Sequence, residues 1–331
     1  MKKLFIIFLI LFSLNLFSKI NVVCTNTIYE WMAKEIGREN VDTFSVVLPN
    51  QDPHYVRPKP SFSLKFKNAD LLITTGLDLE LWLPTILDSA GNKKIMEGSD
   101  GYCSVSKGLP LMEIPEIISR GEGDVHIYGN PHFYYSPVYI YLSLENVLNS
   151  FIKTDPENRE FYLKNYENLK EKLAKSIFGE EILKEIDKDK AIKLFLEDKF
   201  WEYLREKKME EKLGGWLKKC EKLRGLKAIN YHKNWIYFAK FTGIEIVDYI
   251  EPKPGIPPTP KHTKNLIEKG KLGKIDLIFD TGYYDENKMK KISSSLNIPY
   301  FLVPSFIGDK GTKDYFEWMD MVLNKLLEAI K

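Results

Sequence analysis

Residues 68–83 read NADLLITTGLDLELWL. Within this stretch Leu71, Leu72 and Ile73 run together without polar alternation, and Gly76 closes the run. A strand with one wet face alternates apolar and polar side chains, whereas a strand covered on both faces does not. Residues 69–76 therefore predict a buried strand of a parallel sheet. The segment LDLELWLPTIL (77–87) that follows predicts a helix bent at Pro84. A buried strand followed at once by a helix is the repeating unit of a doubly wound α/β fold.

The same alternation extends in both directions. KINVVC (19–24) and DTFSVVLP (42–49) read as strands, with a helix between them that starts on a Thr27/Glu30 capping box and ends near Gly37. Strand and helix signals resume at LKAINY (226–231) and continue through KNWIYFAKFTG, IEIVDYI, a helix opened by Thr259-Pro260, IDLIFD, DENKMKKISSSL and IPYFLVP to a last helix. Between the two series, Ser136-Pro137 opens one helix, and Thr154 with Glu157 forms a capping box for another. Phe161, Tyr162, Tyr166, Leu169 and Leu173 keep helical spacing along it. At 1.5 Å per residue this helix would span about 36 Å, enough for a stiff strut.

The expected architecture is α/β, with two doubly wound lobes and parallel-type sheets joined by a long rigid interdomain helix. Residues 1–18 form a signal peptide, 19–152 the N-terminal lobe and 153–177 the linking helix. Residues 178–224 form a charged helical insertion packed on the outside, and 225–331 the C-terminal lobe. The leader MKKLFIIFLILFSLNLFSKI has a charged start and an apolar stretch too short to span a bilayer comfortably. It predicts export. Cys24 lies beyond that stretch in a strand, so it reads as a core residue and not as a lipid carrier. With Cys103 and Cys220 it makes an odd set of three and forms no CxxC pattern. The 331 residues carry formal net charge +2, with 44% apolar and 28% charged residues. That composition suits packed cores and gives no basic field for nucleic acid.

The chain has five histidines. His54 lies in QDPHYVRPKPS (51–61), His132 in YGNPHFYYSP (128–137) and His232 in NYHKNWIYF (230–238). His54 and His232 follow predicted strands, and ligands of open α/β sheets gather at the carboxyl ends of strands. His232 also stands near a helix start, where the dipole disfavours the imidazolium. Prolines stiffen the His54 and His132 loops. Three neutral imidazoles at the mouth of a cleft suit zinc or a similar divalent metal. His262, in the first turn of a helix, reads as surface; His126, six residues before His132, could orient a ligand, be an auxiliary ligand or have no role, and the last is the expectation.

LPNQDPHYVRPKPS, NADLLITTGLDLELWL, GNPHFYYSP and YHKNWIYFAKFTGIE stand in the order and spacing that resemble the solute-binding proteins of zinc and manganese ABC transporters. The resemblance covers nearly the whole mature chain. It implies a periplasmic monomer without catalytic activity that captures a divalent metal between two lobes and delivers it to a membrane permease. By that resemblance His54, His132 and His232 are metal ligands. Many members add an aspartate near the last strand; this chain reads LVPSFIGDKG there, with Ser305 at that position. Asp280, at the end of LIFD, is the substitute expected, with Asp309 or water as alternatives. The His-rich loop of some zinc-specific members, which would fall near 112–126, is missing. Three imidazoles favour zinc, and manganese or iron would follow if two carboxylates were ligands. A zinc hydrolase with an open fourth position, or a metal-stabilised surface adhesin, are the other classes considered; no HExxH-type motif supports the hydrolase. Binding is expected to fix the His232 loop, and affinity to fall as pH drops through about 6.5.

Overall fold

The computed structural model describes residues 19–115, 126–253 and 255–330. The signal-peptide segment 1–18 lies outside them. The N-terminal lobe opens with β1 (Ile20–Cys24), α1 (Thr27–Gly37) and β2 (Val41–Ser45). It continues with α2 (Pro60–Lys67), β3 (Leu71–Thr74), α3 (Leu83–Ala90) and β4 (Tyr102–Ser104). All four strands are parallel, in the order β2-β1-β3-β4, with Val22 beside Leu71 and Thr74 beside Ser104. Every residue of β3 is buried, as its uninterrupted apolar run requires. The three-residue β4 escapes the sequence reading because it is too short to show a pattern.

Two further helices, α4 (Pro137–Thr154) and α5 (Arg159–Phe178), lead to a helical stretch. It comprises α6 (Glu180–Leu183), α7 (Lys188–Leu196), α8 (Phe200–Lys207) and α9 (Gly215–Cys220). The C-terminal lobe then runs β5 (Lys227–Asn230), α10 (Ile236–Thr242), β6 (Glu245–Tyr249), α11 (Pro260–Leu272), β7 (Leu277–Thr281), α12 (Glu286–Leu296), β8 (Tyr300–Val303) and α13 (Tyr315–Leu327). Its parallel order, β6-β5-β7-β8, repeats that of the first lobe.

Local chemistry moves three expected boundaries. Residues 77–82 are not helical: Leu77 (φ 60°) and Asp78 (φ 57°) follow Gly76 in the left-handed region, and α3 begins at Leu83. Pro84 therefore starts a helix, where its missing N–H costs nothing, and does not bend one. Asn26, not Thr27, caps α1, accepting from the N–H groups of Ile28 and Tyr29. The strut is α5, whose 20 residues span about 30 Å. Thr154 ends α4, and a 3₁₀ turn at Pro156–Asn158 separates the two helices, so the expected capping box does not form.

Helix α5 lies between the lobes, burying Tyr162, Tyr166, Leu169, Leu173 and Ile177. The 178–224 stretch is more than an outer layer, since Ile182, Ile192, Phe200, Leu204 and Leu217 join the main core. Gly179 (φ +88°) passes so close to Gly214 that a Cβ would lie 2.6 Å from its Cα. The last helix returns to the first lobe. Tyr315 stacks on Trp31 at 5.4 Å between ring centroids, and the Tyr315 hydroxyl donates to the Tyr134 carbonyl at 3.2 Å. Just upstream, Thr27 Oγ1 donates to the Ile307 carbonyl at 2.8 Å. Among the described residues, no helix is long and apolar enough to cross a membrane.

Candidate metal centre

His54, His126, His132 and His232 can each offer one ring nitrogen such that all four lie within 4.8 Å of one another. Loops beyond the carboxyl ends of β2, β4 and β5 bring them there.

Two of the loops use one device. In Asp52-Pro53-His54, Asp52 Oδ1 accepts from the His54 backbone N–H (3.0 Å) and pairs with ring Nδ1 (2.7 Å). In Asn130-Pro131-His132, Asn130 Oδ1 does the same for His132, at 3.0 and 2.9 Å. The Asn130 Nδ2 group donates to Glu113 Oε2 and to the Lys233 carbonyl, so its oxygen faces the ring. That oxygen only accepts. His132 therefore carries its proton on Nδ1 and presents a bare Nε2. Trp82 Nε1 donates to the Pro53 carbonyl at 2.8 Å and holds the first loop down.

His232 stands two residues beyond β5 in the C-terminal lobe and is oriented from within that lobe. Its Nδ1 pairs with Glu251 Oε2 at 2.7 Å, and its ring stacks on Tyr284. The Nε2 atoms of both His132 and His232 are buried with no hydrogen-bond partner among the described residues. A buried bare acceptor is costly unless something satisfies it. His126 Nε2 lies 3.3 Å from His54 Nε2, with the two rings stacked at 5.3 Å.

Two of the rings, His126 and His132, are held neutral. Burial first, then the neighbouring His54 and His232, push the His126 pKa down to about 3. Burial and the other three histidines hold His132 well below its ordinary value. Burial alone would raise Asp52, but its hydrogen bonds with His54 outweigh that and leave it below the usual carboxylate value. Imidazoles backed by hydrogen-bond acceptors make a donor set for a divalent cation.

The expected trio thus meets at one point. Asp280 does not join it: fully buried in β7, it spends both oxygens on N–H donors of the His232 loop and its surroundings. Nor does Asp309, whose Oδ2 accepts from the Ser305 N–H at 2.8 Å. His126, expected to have no role, joins the cluster instead. It has no Asx-Pro before it, and its one signal is that the chain holds so few histidines.

Two parallel-sheet lobes bridged by a helix, with a ligand cluster between them, define a solute-binding protein of the metal-handling kind. The chain belongs to the family of ZnuA, the periplasmic component A of the zinc-uptake complex, whose model matches residues 22–209 and 206–329. A relative is the manganese ABC transporter substrate-binding lipoprotein PsaA of Streptococcus anginosus, 27% identical over 320 residues, covering 94% of this chain and 89% of PsaA. Among solved structures, a zinc-bound ZnuA lacking residues 138–173 superposes with TM-score 0.68 at 19% identity, covering 94% of this chain and 98% of that one. FpvC of Pseudomonas aeruginosa in complex with Mn2+ gives TM-score 0.69 at 16% identity, covering 95% and 98%. The resemblance read from the His54, His132 and His232 motifs is thus the family to which the chain belongs.

Proposed function

We propose that this chain is an extracytoplasmic receptor that captures zinc on His54, His126, His132 and His232 and delivers it to the permease of an ABC transporter. The observation that carries the reading is the convergence of four ring nitrogens within 4.8 Å. Zinc–nitrogen bonds of about 2.0–2.1 Å in a tetrahedron place neighbouring nitrogens about 3.4 Å apart. The 3.3 Å between His54 Nε2 and His126 Nε2 fits that edge without rearrangement. Manganese is best served by carboxylate, carbonyl and water oxygens. Here the carboxylates of Asp52 and Glu251 face ring Nδ1 atoms instead. Four imidazoles complete a tetrahedron and leave no position for a metal-bound water, which weighs against a hydrolase.

Export and a membrane-permease partner are consistent with the family and with the apolar leader. PsaA is named a lipoprotein. In this chain Cys24, Cys103 and Cys220 are all free and buried, and Cys24 sits inside β1. The test is metal analysis of the protein recovered from the periplasm, beside His132→Ala. One zinc per chain, lost in the variant, is the expected result. Manganese or iron in wild type would overturn the zinc assignment, and absence of metal with no uptake on titration would overturn the receptor reading.

A further inference from the structure

Asp280 is completely buried, lies at the carboxyl end of β7 beside β5, and is surrounded by hydrogen-bond donors. Its Oδ2 accepts from the backbone N–H groups of Tyr231 (2.7 Å) and His232 (3.2 Å). Its Oδ1 accepts from the Thr281 N–H (2.7 Å), Trp235 Nε1 (3.0 Å) and Asn234 Nδ2 (3.2 Å). Four of these five donors belong to residues 231–235, the turn that carries His232 from β5 into α10. Buried backbone N–H groups need acceptors, and a turn has no ladder to provide them. One carboxylate provides them here. The Trp235 ring so held lies flat on Tyr135 at 4.2 Å and 8°, beside the segment that carries His132.

We propose that Asp280 is the positioning residue of the centre: it binds no metal, and presets His232 in the ligating orientation before metal arrives. The proposal rests on the reading of His232 as a zinc ligand. It replaces the expectation that metal binding fixes the His232 loop, because the loop has its anchor without metal. An asparagine at 280 has the right shape but offers one oxygen and one NH₂ group. The NH₂ group would confront either the Tyr231 and His232 N–H groups or those of Trp235 and Thr281, and the turn would loosen.

The experiment is a double-mutant cycle on zinc affinity, read by competition with a chromogenic chelator, with cobalt(II) visible spectra as a second readout. Asp280→Asn is expected to weaken zinc binding about 10–100-fold, the range for groups that orient a ligand. Its cobalt bands should shift or weaken relative to wild type. In a His232→Ala background, adding Asp280→Asn should change affinity less than about twofold, because the residue it acts through is gone. Two results overturn the proposal while leaving the ligand set intact. One is wild-type affinity and cobalt bands in Asp280→Asn beside a weakened His232→Ala. The other is the full Asp280→Asn loss persisting in the His232→Ala background. Unchanged affinity in His232→Ala alone overturns the ligand set and this role with it. Should Asp280→Asn fail to fold, Trp235→Phe removes one donor to Oδ1, keeps an aromatic ring against Tyr135, and runs the same cycle with a smaller first loss.

Discussion

Asn130 and Lys233 join the two lobes at the metal centre: Asn130 Nδ2 donates to the Lys233 carbonyl at 2.7 Å, while Asn130 Oδ1 orients the His132 ring. One amide thus fixes His132 and fastens its loop to the turn that carries His232. Asn130→Asp should break the second function, because the new carboxylate cannot donate and would face Glu113 as well as the Lys233 carbonyl, although it can still accept from His132 as Asp52 does from His54. An expected loss of about 1–3 kcal/mol in stability follows from the unsatisfied buried groups. Urea unfolding of the zinc-free variant measures it, and a midpoint equal to wild type would contradict the assigned bonding.

His126 should set the metal preference. His126→Ala removes one of four donors and should cost at least the 10–100-fold seen when a group that merely orients a ligand is lost. His126→Asp should go further and raise the manganese-to-zinc affinity ratio, since an oxygen replaces a nitrogen. Parallel titrations with both metals decide this, and a ratio unaltered by His126→Asp would remove His126 from the coordination sphere.

The zinc-free protein should lose stability in acid. His126, with its pKa near 3, and His132, also depressed, stay neutral in the fold, while in the unfolded chain each titrates near 6.5. Below about pH 6.5 the unfolded chain therefore binds protons that the folded chain refuses. Stability falls as pH drops, approaching about 1.4 kcal/mol per pH unit for each group. His126→Gln should flatten that dependence between pH 7 and 5. Parallel slopes for variant and wild type would show that His126 is not desolvated in solution. The same neutrality limits proton competition from these two rings, so zinc affinity should persist to lower pH than an unperturbed histidine site would allow.

Gly179→Ala should destabilise the junction between α5 and the helices that follow. The glycine adopts φ +88°, and a Cβ there would meet the Gly214 backbone at 2.6 Å. A non-glycine residue held in such a conformation costs about 1–3 kcal/mol before the clash is counted. Thermal unfolding measures the loss, and an unchanged midpoint would mean that the two segments separate easily.

The lobes were legible because their strands are buried on both faces, which writes a continuous apolar run such as Leu71–Ile73 into the chain. The three-residue β4 and the left-handed residues Leu77 and Asp78 were not, since neither leaves a periodic trace. Pro-His pairs marked two loops of the centre, but the residue that orients each ring is the Asx before the proline, and its part emerges only when the hydrogen bonds are seen. Asp280 shows the limit most clearly. A carboxylate at a strand end has the same sequence signature whether it faces a cation or a ring of N–H groups. His126 shows the converse, as an unmarked loop residue placed by chain path alone.

The return of α13 to the first lobe also bears on when this molecule becomes folded. Trp31 waits for Tyr315 as its stacking partner, and Thr27 for the Ile307 carbonyl. A chain emerging from the ribosome therefore cannot close the first lobe's interior until nearly its last residues have been made. Contacts of such wide sequence separation form late and slowly. On the export route proposed above, that delay would keep the chain in a transportable state and place the final packing step beyond the membrane.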